Sequence, residues 1–321
     1  MRGARFLPIS CTEYFLLSSL MREEENAWLQ VLGWDYSPIR KILGSLMQQK
    51  LLPGYAAVQG KEAFGYAYFL IKGAKGIIGN TFVRESGHSR EIAGELLSLC
   101  ISSLKDLPKI ERIEAQIIPF SELSYADAFI REGFRHYPRH YMLLPMDTAP
   151  AIRPDTRKGI VRWDFSRLSQ ACKLLLNGYS DQPDADICSD YRTLSGCHEY
   201  LHSIIQSPGC GVLVPEASFM ALDDKNMLRA FILGSRVSSG VGMIPQIVVH
   251  PDYQKQGLGR GLMASCLESF KALGLGRVAL TVTEENQRAL DWYRRLGFRQ
   301  CREFGAFVWD RIGSGPDELQ L

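Results

Sequence analysis

The stretch Met243–Leu262, MIPQIVVHPDYQKQGLGRGL, decides the fold. Ile244 and the run Ile247–Val249 are the apolar, partly β-branched residues that are typical of a buried strand. Pro251 ends that strand because it cannot donate a ladder hydrogen bond. The apolar residues within 262–273 then recur on one face of a helix. The stretch therefore predicts a strand, a glycine loop and a helix, in that order.

The glycine loop after this strand predicts an anion site. It leads into a helix N-terminus, where unpaired backbone N–H groups and the helix dipole favour negative charge. Gly257 and Gly259 would let an anion approach the main chain, and Lys255 and Arg260 add positive charge. A pyrophosphate suits this chemistry. The loop is not a Walker A sequence, and Leu262 stands where the dinucleotide fingerprint needs glycine, so a plain connecting turn is the alternative from the loop alone.

A second strand and helix follow directly. Arg277–Thr283 is a β-type run, and Asn286 is well suited to cap the next helix. That helix, Gln287–Leu296, has Gly297 as its stop. Asn286 and Tyr293 are seven residues apart, or about two helical turns, so they share a face.

The two blocks together resemble the GCN5-related N-acetyltransferase (GNAT) family. The matching residues are Gln254-x-x-Gly257-x-Gly259 and, about 30 residues downstream, Asn286-x-x-Ala289-x-x-x-Tyr293-x-x-x-Gly297-Phe298. The order of strands and helices around them is typical of a mixed α/β layer fold.

An earlier part of the chain repeats this pattern. Arg84-x-x-Gly87-x-Ser89 lies 170 positions before the glycine loop, and Gly133-Phe134 lies 164 positions before Gly297-Phe298. The sequence therefore predicts two GNAT-like domains, each a mixed, mostly antiparallel twisted sheet flanked by helices. The predicted limits are 1–147 and 160–321, joined by a proline-containing linker over 148–159.

The first copy differs where the chemistry would lie. Alignment on the Gly-Phe pairs places Phe129 at the position of Tyr293 and Glu122 at that of Asn286. Ser89 replaces Gly259. Because phenylalanine cannot donate a proton, the first copy resembles a degenerate repeat. It could hold the fold, shape a substrate cleft or retain weak CoA affinity through Gly87, and we favour the first two.

The resemblance implies acetyl-CoA as co-substrate and assigns residues to it. Backbone groups of the organising strand would pair with the pantetheine and polarise the thioester carbonyl, and the loop N–H groups would hold the pyrophosphate. Asn286 would contact the pantetheine arm. Tyr293 would act as general acid and protonate the leaving thiolate, with a core aromatic as the alternative role. The implied acetyl-CoA residues are Ile247, Val248, Val249, Gln254, Lys255, Gln256, Gly257, Leu258, Gly259, Arg260, Gly261 and Asn286.

The acceptor side is less defined by the sequence. Many family members place a glutamate on one of the two central strands, but this chain has Gln246 and Thr281, and neither is a base. The distant carboxylates Glu284, Asp190 and Glu216 are left as candidates, so no base is assigned. The acidic segment Tyr179–Asp190 is predicted to be a loop, where Asp184, Asp186 and Asp190 would attract a cationic amine, with a solvated turn as the alternative.

One motif points to different chemistry. His198-Glu199-x-x-His202 matches the helix motif of zinc peptidases, but no third ligand follows at the required spacing. We expect the two histidines to lie on an exposed helix face, and we expect no metal.

Composition narrows the function classes. The chain has 321 residues, 46% of them hydrophobic and 22% charged, with a net charge of +2. That balance argues against a general nucleic-acid or membrane-surface role. No apolar run reaches the length of a membrane span, and the eight cysteines contain no CxxC pair. We expect a cytoplasmic protein with reduced thiols, present as a monomer or homodimer.

Two functions follow. The first is an N-acetyltransferase that moves an acetyl group from acetyl-CoA to a primary amine on a small molecule or peptide. The second is a non-catalytic, CoA-responsive ligand-binding protein.

Overall fold

The computed structural model of the chain describes residues 4–86, 88–119, 125–149, 159–180 and 182–311. In chain order its strands and helices are β1 Arg5–Pro8, α1 Tyr14–Leu32, α2 Ser37–Gln48, β2 Gly54–Gln59, β3 Glu62–Lys72, β4 Lys75–Val83, α3 Ser89–Lys105, β5 Arg112–Ile117, α4 Ala126–Arg131, β6 Arg135–Pro145, β7 Ile160–Arg162, α5 Leu168–Tyr179, α6 Pro183–Ile187, α7 Leu194–Gln206, β8 Val212–Leu213, β9 Phe219–Leu222, β10 Leu228–Arg236, β11 Val241–Val249, α8 Leu258–Ala272, β12 Arg277–Thr283, α9 Gln287–Arg295 and β13 Arg299–Asp310.

The chain forms two compact units that are not consecutive halves. Unit 1 contains residues 1–138 and 304–321, and unit 2 contains residues 139–303. Strand pairing is the reason, because residues 139–145 of β6 pair with β12 whereas residues 305–310 of β13 pair with β5. The predicted limits, 1–147 and 160–321, follow the sequence repeats instead. Residues 150–158 of the predicted linker lie outside the described residues.

Unit 1 is a mostly antiparallel sheet in the order β1-β2-β3-β4-β5-β13, in which β4 and β5 form the parallel pair. Helices cover both faces. The apolar face of α3 packs against Phe69, Ile78 and Phe129, among others, in one core. Leu17, Leu20 and Met21 of α1, with Leu43 and Met47 of α2, pack against the other face of the sheet.

Unit 2 repeats this arrangement with the order β6-β12-β11-β10-β9-β7, and β8 joins the edge of β10. The parallel pair here is β11 with β12. The predicted apolar face of α8 is buried from Leu262 to Phe270, whereas Leu273 lies exposed beyond the helix end. Helices α5 and α7 bury Leu175, Leu201 and Ile204 on the opposite face. Both units therefore confirm the predicted α/β class with mixed, mostly antiparallel sheets.

Two local predictions need correction. The segment Tyr179–Asp190, predicted to be a loop, contains the short helix α6 and the start of a 3₁₀ turn, Ser189–Arg192. Pro183 starts α6 because its fixed φ suits the first helical position. The helix predicted from Tyr191 begins instead at Leu194, where the hydroxyl of Thr193 accepts the backbone N–H of Gly196. No helix in the described parts of the chain combines the length and apolar character needed to cross a bilayer.

Candidate active site

The organising strand separates from its parallel neighbour partway along its length. Among the described residues, β11 pairs with β12 over Val241–Met243, yet β11 continues to Val249. Its other edge stays paired with β10 as far as Val249. A register shift in that ladder falls around Pro245, as expected because proline cannot donate a ladder bond and is tolerated at a bulge. The divergence opens a wedge beside Ile247–Val249.

A cleft of about 750 Å³ occupies this wedge. Its walls come from the end of α5, the far end of β11, the glycine loop and α9. The lining residues are Gly178, Tyr179, Gln182, Ile247, Val248, Val249, Tyr253, Gln254, Lys255, Gly257, Gly259, Arg260, Glu285, Asn286, Gln287, Arg288, Ala289, Trp292, Tyr293 and Arg295. Ten residues of the predicted acetyl-CoA and catalytic set therefore lie on one surface.

Three predicted residues do not line the cleft. The side chain of Gln256 is exposed and donates to the Asp252 carbonyl at 2.8 Å. Leu258 packs against the core of unit 2. Gly261 is buried, and its N–H donates to the Gly257 carbonyl at 2.9 Å, which closes the first turn of α8.

The glycine loop has the conformation that an anion site needs. Gly257 has φ of 84°, a left-handed conformation that favours glycine, and it caps α8. Because the first helical hydrogen bond runs from Gly261 to Gly257, the N–H groups of the first turn lie outside the helical ladder. A Cβ on Gly259 would meet Val249 at 3.5 Å and Trp292 at 3.8 Å, which are ordinary contacts. Packing in this structure therefore does not require glycine at position 259, and its bare backbone faces the cleft.

The rim of the cleft is basic. Lys255, Arg260, Arg288 and Arg295 all line it. The Arg288 guanidinium donates to Gln254 Oε1 at 2.6 Å, which links α9 to the glycine loop. The sequence analysis missed Arg288 and Arg295, although both lie on the same helix as Tyr293. The charge and the exposed loop backbone together fit a diphosphate-bearing ligand.

Asn286 and Tyr293 occupy the two ends of one helix face, as predicted. The Asn286 Oδ1 accepts the backbone N–H of Ala289 at 3.2 Å and caps α9, which confirms the predicted cap. Tyr293 is 8% exposed, and its ring packs edge-on against Phe298. Burial, with the charges of Tyr179 and Asp184, raises the pKa of the Tyr293 phenol. The phenol therefore stays protonated at neutral pH and can donate a proton.

Gln246 is held by three tyrosines that sequence reasoning missed. Its Oε1 accepts hydrogen bonds from Tyr191 at 3.3 Å and from Tyr200 at 3.1 Å. Its Nε2 donates to the Tyr179 phenol oxygen at 2.8 Å. Burial raises the pKa of all three phenols. This tyrosine–glutamine cluster is neutral and hydrogen-bonded, so Gln246 cannot serve as a base.

The three predicted acceptor-side carboxylates have different surroundings. The Asp184 Oδ1 accepts from the Thr283 hydroxyl at 3.0 Å and lies 3.4 Å from an Arg139 nitrogen. Asp186 is exposed and pairs with Arg192 at 2.6 Å. Asp190 lies in the 3₁₀ turn, and none of the three residues is among those that line the cleft. The hydrogen bond from Thr283 ties Asp184 to the end of β12.

The histidine motif lies on the surface. His198 and His202 are both exposed on α7, with ring centroids 6.2 Å apart. Within the described residues, no group of three or more potential metal ligands comes together. The predicted exposed helix face is confirmed.

Comparison with known proteins agrees with this geometry. The sequence model of the Acetyltransferase (GNAT) family matches residues 186–298. N-alpha-acetyltransferase 30 of Schizosaccharomyces pombe is 33% identical over 91 residues, which is 27% of this chain and 59% of that protein. The chain thus spans a little over half the length of this relative.

Two solved structures show the same fold. A GCN5-related N-acetyltransferase from Sphaerobacter thermophilus has a TM-score of 0.61 at 17% identity and covers 80% of both chains. A tandem GNAT protein from the clavulanic acid biosynthesis pathway has a TM-score of 0.60 at 12% identity, over 96% of this chain and 98% of that one. The segment 186–298 therefore matches the GNAT family of acetyltransferases, and the chain has the fold of these two solved structures.

Proposed function

We propose that unit 2 transfers an acetyl group from acetyl-CoA to a primary amine. The observation that carries this proposal is the cleft beside Ile247–Val249, which joins an exposed strand edge, a glycine loop and a buried phenol on one surface. The strand edge would bind the thioester, the glycine loop would hold a diphosphate, and the phenol would protonate the leaving thiolate.

The donor side follows from the lining residues. The strand edge at Ile247–Val249 would pair with the amides of the pantetheine arm, and a backbone N–H there would polarise the thioester carbonyl. The first turn of α8 and the basic rim would hold the pyrophosphate. Asn286 is already engaged as a helix cap, so its contribution would be to fix α9 beside the pantetheine arm.

Tyr293 would act as the general acid. It lines the cleft, and its phenol carries a proton at neutral pH. Proton transfer from Tyr293 to the sulfur would make CoA a better leaving group.

The acceptor is an amine-bearing small molecule or a peptide. The similarity to N-alpha-acetyltransferase 30 favours a peptide α-amine, although the chain spans only part of that protein. The wall of the cleft contains Tyr179, whose phenol accepts a hydrogen bond from the neutral amide of Gln246, and β11 carries no carboxylate.

Release of free CoA from acetyl-CoA, measured against a panel of peptide, lysine and small-molecule amines, tests this function. We expect CoA release that depends on the acceptor. The mass of the acceptor should increase by that of one acetyl group. Acetyl-CoA binding without CoA release for any amine would favour the alternative, a CoA-responsive binding protein.

A further inference from the structure

The cleft reaches from one face of the unit 2 sheet to the other. Ile247 and Val249 on β11 pack against the core that contains α8, whereas Val248 packs into the core that contains α5 and α7. Because side chains alternate along a strand, Gln246 points to the same face as Val248. The glycine loop leads into α8, and the end of α5 contributes Tyr179 to the cleft. The glycine loop and Tyr179 therefore belong to opposite faces of the sheet.

Tyr179 is held beside β11 by a close approach of α5. A Cβ on Gly178 would lie 2.5 Å from a methyl group of Val248, so a side chain there would force the helix and the strand apart. The Tyr179 ring stacks on Tyr191 with ring centroids 4.5 Å apart. The Tyr179 carbonyl accepts the backbone N–H of Gln182 at 3.0 Å. These contacts give the phenol a defined position on the wall of the cleft.

Gln246 determines where the proton of the Tyr179 hydroxyl can point. Its Nε2 donates to the backbone carbonyl of Ile247 at 3.3 Å, and because a carbonyl can only accept, this end of the amide must be the NH₂ group. The same Nε2 donates to the Tyr179 oxygen at 2.8 Å. At the other end, Oε1 accepts from Tyr191 and Tyr200. The Tyr179 oxygen is therefore an acceptor toward Gln246, and its own proton must point away from that amide.

The Tyr179 hydroxyl is thus a hydrogen-bond donor that a ligand in the cleft can use. A phenol keeps its single proton at neutral pH. Within the residues that the structure describes, no group accepts this proton. The residues of the α5 side that line the cleft are Gly178, Tyr179 and Gln182, and all three are uncharged. An O–H donor cannot bind a cation through its proton, and a carboxylate would find no counter-ion among these three residues. The hydroxyl therefore suits a neutral oxygen atom.

That oxygen would lie close to the reacting amine. Tyr179 contacts Gln246, and Gln246 directly precedes Ile247, the first residue of the strand edge that would bind the thioester. An acceptor whose nitrogen reaches the thioester would therefore have only a few bonds between this nitrogen and the oxygen that Tyr179 contacts.

We propose that Tyr179 selects the acceptor by donating a hydrogen bond to a neutral oxygen beside the amine. This inference rests on the proposed function. The acceptor class is a primary amine with a carbonyl or hydroxyl oxygen on the neighbouring carbon, as in a peptide N-terminus or an amino alcohol. Tyr179 orients this amine toward the thioester and takes no part in proton transfer.

Three amines of similar size test the selection. Alaninamide has a carbonyl beside its amine, 2-amino-1-propanol has a hydroxyl, and 2-aminobutane has neither. For each amine, kcat and KM are measured with the wild type, Tyr179→Phe and Tyr200→Phe, and kcat/KM is expressed per neutral amine. Tyr200→Phe is the matched control, because Tyr200 bonds to the same Gln246 amide but is not among the residues that line the cleft. Acetyl-CoA affinity and thermal stability are measured beside the kinetics.

We expect the wild type to prefer an oxygen-bearing amine over 2-aminobutane by about 3- to 10-fold, the range that one neutral hydrogen bond supplies. Tyr179→Phe should abolish this preference, chiefly through KM, and leave 2-aminobutane within about twofold of the wild type. Tyr200→Phe should keep the preference, and both variants should bind acetyl-CoA as the wild type does. The amine that loses more in Tyr179→Phe identifies the oxygen as a carbonyl or a hydroxyl. The preference of the wild type needs no variant, so it tests the selection even if Tyr179→Phe is unstable.

The contrary outcomes separate this inference from the proposed function. Equal losses for all three amines in Tyr179→Phe, or the same change of preference in Tyr200→Phe, would overturn selection by the Tyr179 hydroxyl. A wild type that acetylates only amines without a neighbouring oxygen, such as a lysine side chain, would also overturn it and leave the proposed function standing. Absence of CoA release with every amine would overturn the proposed function and the inference together.

Discussion

Each unit contains one pair of parallel strands that separates partway along, and the two units differ in what lies beyond the separation. In unit 1, β4 pairs with β5 over Lys75–Ile78 and continues to Val83. There the Tyr125 phenol, 8% exposed, donates to the Thr81 carbonyl at 3.3 Å. In unit 2 the corresponding stretch of β11 lines the cleft. A tyrosine side chain thus occupies in unit 1 a strand edge that in unit 2 lies open to the cleft.

The position that holds the edge-filling tyrosine in unit 1 holds a small side chain in unit 2. Aligned on the two Gly-Phe pairs, Tyr125 corresponds to Ala289, 164 positions later. Ala289 lines the cleft, and its methyl group cannot reach across the wedge. The same fold can therefore present either an open cleft or a filled one, depending on one side chain at the start of a helix.

The position of the proposed general acid differs as well. Phe129, which aligns with Tyr293, is fully buried and stacks on Phe307 with ring centroids 4.1 Å apart. Its ring has no proton to donate. Unit 1 therefore lacks both the open edge and the phenol on which the proposed chemistry depends.

Removing the phenol that distinguishes unit 2 from unit 1 should have the largest effect on the rate of the reaction. Tyr293→Phe gives unit 2 the phenylalanine of unit 1 and should lower kcat by about 10² to 10⁴-fold, because the leaving thiolate loses its proton donor. Acetyl-CoA affinity, measured by calorimetry, should change by less than about twofold, since the ring remains. Tyr125→Phe is the matched control in unit 1 and should leave kcat unchanged. Equal activity of Tyr293→Phe and wild type would remove Tyr293 as general acid.

The filled edge in unit 1 should matter for stability rather than for catalysis. Tyr125→Ala should lower the free energy of unfolding by about 3–5 kcal/mol, because it leaves a cavity and an unpaired Thr81 carbonyl. Tyr125→Phe, which loses only the hydrogen bond, should cost about 0.5–1.5 kcal/mol. Denaturant titration measures both. A loss below about 1 kcal/mol for the alanine variant would show that Tyr125 does not fill the wedge.

The buried polar clusters of the two units differ in charge, which predicts a smaller, pH-dependent effect. Glu24 on α1 is 1% exposed and accepts hydrogen bonds from Tyr66, from Asn80 at 2.7 Å and from Trp28 at 3.2 Å. Burial raises the pKa of its carboxyl, and the hydrogen bonds only partly oppose this. The neutral cluster around Gln246 carries no such group.

Because the folded-state pKa of Glu24 is raised, its stabilising contribution is fully present below the unfolded pKa of about 4.3 and declines as pH rises through the folded pKa. Each tenfold difference between the folded and unfolded acid dissociation constants corresponds to about 1.4 kcal/mol. Glu24→Gln should remove this decline, so the variant should gain stability relative to wild type as pH rises from about 4.3 toward the folded pKa. Denaturation curves at several pH values measure the difference. A difference in the free energy of unfolding that does not change with pH would mean that the pKa of Glu24 is the same in the folded and unfolded states.

The cleft residues of the proposed donor side could be predicted from sequence because their signals are local. Glycine spacing, the Asn286 cap and the Tyr293 position all depend on residues within one loop or one helix. The acceptor side could not be predicted in the same way. Gln246 meets Tyr179, Tyr191 and Tyr200 through tertiary packing, and no local pattern announces that contact.

The same reason explains three structural features that the sequence did not predict. Tyr125 belongs to no motif and Ala289 belongs to the one that begins at Asn286, but only the separation of the strands shows what each side chain occupies. The sequence predicts Asp184 to be part of an acidic loop, but its contact with Thr283 joins residues 99 positions apart. The exchange of β6 and β13 between compact units likewise depends on long-range pairing, which periodicity does not encode.

The number of acetyl-CoA molecules bound per chain tests the comparison most directly. Calorimetric titration of the wild type and of Ala289→Tyr, which places the tyrosine of unit 1 in the cleft of unit 2, gives this number. We predict one site per chain in the wild type and binding at least about a hundredfold weaker in Ala289→Tyr, a change of about 2.7 kcal/mol. Two sites in the wild type, or full binding by Ala289→Tyr, would contradict the assignment of one open and one filled strand edge.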